Sequence, residues 1–197
     1  MKLKEMKVKT FSLIEEYYPE LKGLAEDEDV LNKINGVVNS IQMDLMKYRK
    51  INAYEEITIN KEDTKTIDLK DRLEDMYQLN KIVFDKDTDY QMPNDDILIL
   101  PKDYAGTFTI YYYKYPTLTK VLFNSEEEKQ NEDETFVFDL DRDILEIMPY
   151  GIAADLLKMD MISGYGRYFY ERYMEMRNSI DPRKTSGTIK IEGGYNV

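Results

Sequence analysis

Residues 139–181, DLDRDILEIMPYGIAADLLKMDMISGYGRYFYERYMEMRNSID, decide the fold. Leu145, Met148, Ile152, Leu156 and Met159 recur at steps of three and four, the spacing that puts apolar side chains on one face of a helix. Asp143 and Glu146 have the spacing of a capping box at its start. Pro149 removes one backbone hydrogen bond, so the helix either kinks there or starts afresh there. Ser163-Gly164 then breaks the pattern, and Tyr165, Phe169, Tyr173, Met176 and Ile180 form the stripe of a second helix. Its other face mixes Arg167, Glu171, Arg172, Glu175 and Arg177.

Beyond this hairpin lies the arm PRKTSGTIKIEGGYNV, residues 182–197. Pro182 cannot continue the helix and biases Asp181 toward an extended shape. Arg183 to Gly187 form a polar hinge, and Ile189 and Ile191 alternate with Lys190 and Glu192 as a short, half-apolar strand. Sixteen extended residues reach up to roughly 50 Å, far enough to cross onto another subunit. Adding the strand to a sheet edge would satisfy its backbone groups and bury both isoleucines. A disordered tail, or a strand folded back on its own sheet, is the plainer alternative.

Upstream, a short helix is expected from Thr10, with Phe11, Leu13, Ile14, Tyr17 and Tyr18 apolar and Pro19 disrupting or ending it. A stronger helix follows, capped by Asp27 or Asp29 and striped by Val30, Ile34, Val37, Val38, Ile41, Leu45, Met46 and Tyr48. Asn32, Asn35, Asn39 and Gln42 lie between these and are read as a polar flank. From Ile51 to about Phe138 alternation replaces helical period. Strands are expected at Ile57–Ile59, Thr66–Leu69, Tyr77–Asp85, Asp96–Pro101 and Gly106–Pro116, with a helical turn within Asp71–Met76. In the last strand Phe108, Ile110 and Tyr112 face one way, and Thr107, Thr109, Tyr111 and Tyr113 the other. The acidic run SEEEKQNEDET, residues 125–135, reads as a solvated loop.

The expected fold class is therefore α+β: a helical bundle frame with an inserted small antiparallel β domain, a sandwich or barrel, and an extended C-terminal arm. N-terminal helices occupy 1–50, the β insertion 51–138, the completing hairpin 139–181 and the arm 182–197.

Composition excludes much chemistry. With no His and no Cys, a Ser-His-Asp triad, a cysteine nucleophile, a thiolate zinc site and a disulfide are all ruled out. Asp85, Asp87 and Asp89 have the alternate spacing of a calcium loop, but Tyr90 stands where its turn needs Gly and Asp96 where a bidentate Glu is usual. The glycines of SGYGRY and Gly193-Gly194 lack the strand and Lys-Ser/Thr of a phosphate loop. No catalytic, metal or cofactor residues are assigned, and a non-enzymatic role is expected. The cluster Tyr111, Tyr112, Tyr113 and Tyr115 has the residues of a stacking platform but no basic groove beside it.

The net charge of −12 is unevenly placed: residues 1–9 carry +3 and residues 158–197 carry +2, leaving −17 between. Such a body repels phosphate, so it suits a surface that lies beside DNA without gripping it. No run of about 18 apolar residues is present to span a bilayer, and synthesis in the cytoplasm, with no membrane partner, is expected.

The layout, with ILEIMPYGIAADLL, YFYERYMEMRNSIDPR and GTIKIEGGY within residues 144–195, resembles the head-to-tail connector (adaptor, or head completion) proteins of tailed bacteriophages. The resemblance implies a homo-oligomeric ring, commonly of twelve copies, at the virion neck beneath the portal protein. Such a ring extends the DNA channel, helps retain the genome without sequence-specific binding and seats the next tail or neck protein. It also implies that docking on the portal or a neighbouring subunit falls on Arg183 and Lys184 at the hinge, on Thr188, Ile189, Lys190 and Ile191 in the strand, and on Tyr195. Two alternatives stay open: another virion component, such as a tail terminator or minor capsid protein, and a carbohydrate- or protein-binding module using the Tyr-rich sheet.

Overall fold

The chain starts in a helix whose buried face, Leu3, Met6, Phe11 and Ile14, is set by spacings of three, five and three. This is α1, Leu3–Tyr17, and Pro19 opens a 3-10 turn directly after it. The structure, a computed structural model, describes residues 1–158 and 164–180. Helix α2, Glu28–Leu45, begins at Asp27, whose carboxylate accepts from the backbone N–H groups of Asp29 and Val30 and so satisfies two of the donors a helix start leaves open.

Among the described residues six strands follow in two antiparallel three-stranded sheets. The first has the order β1 (Ile51–Ile59), β6 (Gly106–Lys114), β3 (Met76–Phe84). The second runs β2 (Thr66–Asp68), β5 (Ile97–Ile99), β4 (Gln91–Asn94). A short helix α3, Leu69–Arg72, capped by Asp68, leads from β2 toward β3. Ile57, Phe108, Ile110 and Tyr112 of the first sheet meet Leu98, Leu100, Leu69 and Leu73 in one core. Phe108, Ile110 and Tyr112 of β6 are buried as expected, and Tyr113, expected on the other face, is buried as well. Strand β3 shifts register twice against β6, between Met76 and Gln78 and between Leu79 and Lys81, which is why YQLNKIVFD does not alternate cleanly.

Ile51, the first residue of β1, pairs with Lys114, the last of β6, so the chain enters and leaves the β unit at neighbouring points. The sheets end there. Residues 115–138, placed with the β insertion in the sequence reading, return to the helices instead. A strap from Tyr115 to Asn124 crosses α2, and α4, Glu126–Thr135, then packs beside α1. The acidic run is thus a helix and not a loop. Ser125 caps it, and Glu126, Glu127 and Glu128 occupy the first turn, where the helix dipole favours negative charge. Lys4 and Lys7 of α1 bind Glu134 and Asp133 at 2.6 and 2.7 Å, with the Lys7 side chain only 7% exposed. The basic start of the chain and its most acidic stretch neutralise one another.

The capping box expected at Asp143 and Glu146 is not made. Asp143 lies inside a short helix α5, Arg142–Leu145, and α6, Met148–Leu156, starts afresh with Pro149 in its first turn. There Pro149 costs no intrahelical bond. Helix α7, Tyr165–Asn178, packs against α6. The frame's main core joins Leu3, Met6, Ile34, Val38, Leu45, Phe136, Phe138, Ile144, Met148, Ile152 and Tyr173, drawn from α1, α2, α5, α6, α7 and the residues directly after α4. The architecture is α+β, a helical frame and a β insertion each with its own core.

Candidate docking surfaces

The residues assigned to docking, Arg183, Lys184, Thr188, Ile189, Lys190, Ile191 and Tyr195, lie outside the described residues, as do Met159, Ser163 and the Gly193-Gly194 pair. What the structure describes is the platform from which they continue: α7 and its exit at Ile180, the open edges of the sheets, and the surfaces around them.

The exit is held by a polar cluster. Tyr173 donates to Asp44 at 2.7 Å and Arg177 binds the same carboxylate oxygen at 2.8 Å, joining the last turns of α7 to α2. The Arg177 guanidinium also lies 4.9 Å from the centre of the Tyr48 ring. Burial pushes the Asp44 carboxyl up, but the bonds from Tyr173 and Arg177 and the Arg177 charge outweigh it, holding the group below its ordinary range. Burial first, then the bond to Asp44, drives the Tyr173 phenol well above its ordinary range, so it stays a neutral donor. Spacing in the sequence points to Tyr173 as apolar stripe, and nothing local marks Asp44 as its partner 129 positions away.

The second joint is the strap. Asn39 donates to the Thr119 carbonyl at 2.8 Å and accepts from the Thr119 N–H at 2.9 Å, as a neighbouring strand would. Asn35 donates to the Lys120 carbonyl at 2.8 Å. The polar flank of α2 is therefore partly buried beneath the strap, with Asn35 and Gln42 at 2% and 0% exposure. Asp139 anchors the strap's start, accepting from the Lys114 ammonium and from the Thr117 backbone N–H and hydroxyl. These bonds overcome burial and hold its carboxyl below the usual range.

On the outer face of the first sheet the tyrosines are already occupied. Lys81 lies 4.6 Å from the Tyr111 ring centre and Lys50 the same distance from that of Tyr113, while Tyr112 faces the core and donates to Asp75. Two of the rings that a sugar or base would stack on are thus capped by the chain's own ammonium groups. Tyr113 is in addition buried, Tyr77 and Tyr115 are exposed but stack edge to face on each other, and Tyr54, 72% exposed, lies beside Tyr111. Asp85, first of the alternating aspartates, accepts from the Thr107 N–H at 3.2 Å and fastens the β3–β6 end of the sheet. Among the described residues no group of three or more acidic side chains is placed to hold a metal ion, and no helix is long and apolar enough to cross a membrane.

No protein-family model matches the chain, and no curated protein is significantly similar to it.

Proposed function

We propose that this protein is a non-enzymatic structural component of a tailed-phage virion, a head-to-tail connector that assembles as a ring under the portal, extends the DNA channel, helps retain packaged DNA and seats the tail. One observation carries the reading most: the chain's apolar surface is divided between a helical frame and a β insertion with separate cores, and the C-terminal arm continues from a firmly tied α7. Among the described residues, β1 and β3 of the first sheet are each paired on one side only, which offers a strand from another subunit two edges to join. A strand lent to the next copy is a heterologous contact, and such contacts close into rings when the rotation allows. The acidic body suits a wall past which DNA moves without being held.

The test is binding to a purified portal ring. The full chain is expected to bind and to appear as a ring beneath the portal in electron micrographs. A variant lacking Pro182–Val197 is expected to keep its helical circular dichroism and its melting transition but to lose binding. Undiminished binding by the truncated protein would sink the arm's role. A reconstruction of the particle that places the chain anywhere but the neck would sink the connector reading itself.

A further inference from the structure

Lys9, Ser12, Leu13 and Glu16 follow one another along α1 at steps of three, one and three, a single stripe over two turns. They form one side of an open groove of about 530 Å3, completed by Glu146, Pro149, Tyr150 and Met176. The stripe runs for about 10 Å along the helix axis. Leu13, Pro149, Tyr150 and Met176 make it apolar. On its rim Lys9 is paired with Glu146, so the one unbalanced charge is that of Glu16, which has no ion-pair partner among the described residues.

The chain itself supplies a matching segment. Met176 lines the groove, the described residues end one turn later at Ile180, and residues 181–197 follow. The nine residues from Ile180 to Ile189 span up to about 30 Å when extended, enough to turn back. In TIKIE, residues 188–192, two isoleucines two positions apart would present side chains about 7 Å apart on one side of a strand. Arg183, Lys184 and Lys190 outnumber Glu192 among the charges of residues 182–192, opposite in sign to Glu16. A short tether holds its own end at an effective concentration in the millimolar range, which favours this arm over one from another copy.

We propose that the groove between α1, α6 and α7 is the seat of the chain's own C-terminal segment, with Ile189 and Ile191 entering it and Lys190 lying toward Glu16 on the rim. Seated, the strand is withheld from a sheet edge until a partner competes for it. That consequence rests on the docking role proposed above; the seat does not.

The chain has no cysteine, so two introduced thiols report on one contact alone. Ser12→Cys with Gly193→Cys, a position on the same side of the strand as Ile189 and Ile191, leaves both isoleucines and Lys190 in place. Tyr54→Cys with Gly193→Cys, on the exposed face of the sheet, is the comparison pair. In dilute, isolated protein under mild oxidation, the first pair is expected to close at monomer mass at least ten-fold faster than the second. Equal rates, no cross-link, or a product only at dimer mass would overturn the proposal. Independently, Glu16→Lys in the otherwise native chain is expected to speed tryptic cleavage after Lys190 several-fold, and an unchanged rate counts against the seat. Both measurements are made without portal, so their failure leaves the docking test standing.

Discussion

Asn39 and Gln42 stand one turn apart on α2, yet their side chains have opposite energetics. Asn39 uses both ends of its amide on the Thr119 backbone, so Asn39→Ala would leave an N–H and a carbonyl of the strap without partners. A loss of about 2 kcal/mol is expected, read as a lower midpoint in urea. Gln42 is fully buried and its carbonyl oxygen has no partner among the described residues. Gln42→Met, of similar shape, is expected to be neutral or to gain up to about 1 kcal/mol. Asp44 gives a pH-dependent counterpart. Its folded-state pKa lies below the unfolded value near 3.8, so its contribution is fully present above that value and is lost as pH falls through the lower, folded one. The stability gap between wild type and Asp44→Asn should therefore be widest above pH 4 and narrow as the solution is acidified; a gap independent of pH would contradict the charged Tyr173–Asp44–Arg177 contact.

Among the elements, α6 and α7 cross closely at two glycines. A Cβ added at Gly166 would lie 2.5 Å from the Leu157 carbonyl oxygen, and one at Gly151 would lie 2.8 Å from the Tyr173 ring. The first obstacle is backbone, which cannot turn aside as a side chain can. Gly166→Ala is expected to cost about 1–3 kcal/mol, seen as a lowered melting temperature, although alanine normally favours a helix over glycine. In SGYGRY the second glycine thus serves close packing, a role invisible to any local pattern. Helix α4 shows the same dependence on distance in sequence. Its acids read as a solvated loop because their neutralising lysines belong to α1, some 126 to 130 residues earlier.

For the whole molecule, the neighbouring entry and exit at Ile51 and Lys114 make the β unit an insertion in the physical sense. Replacing Asn52–Tyr113 by a two-residue Gly-containing turn should leave the helical frame folded, with a helical far-ultraviolet spectrum and a cooperative melt. A non-cooperative melt would mean that the frame depends on the insertion. The contacts across the junction include Lys50 with Gln78 and the Tyr113 ring, Lys114 with Asp139, and the Tyr115 N–H with the Asp75 carbonyl, and the charged ones are at least partly exposed, where such pairs add little.

Local features were legible in the sequence: the stripes of α2 and α7, a cap at Asp27 or Asp29, the end of α1 near Pro19 though not its start at Leu3, a kink or fresh start at Pro149, and the common facing of Phe108, Ile110 and Tyr112 in β6. Each depends on residues within a few positions of one another, where period, capping and proline stereochemistry operate. Strand β4 and the full length of β1 escaped, because one is four residues within an acidic run and the other opens with INAYEE, which alternates only weakly. Contacts in space set where the β insertion ends, that the acidic run is a helix, which polar residues of α2 are buried, and that Lys81 and Lys50 cover the Tyr111 and Tyr113 rings. The groove beside α7 belongs with these, since its stripe on α1 gains meaning when Pro149, Tyr150 and Met176 are brought against it. The physical reason is shared: burial and charge pairing depend on neighbours in space, and here those neighbours are often 80 to 137 residues apart in the chain.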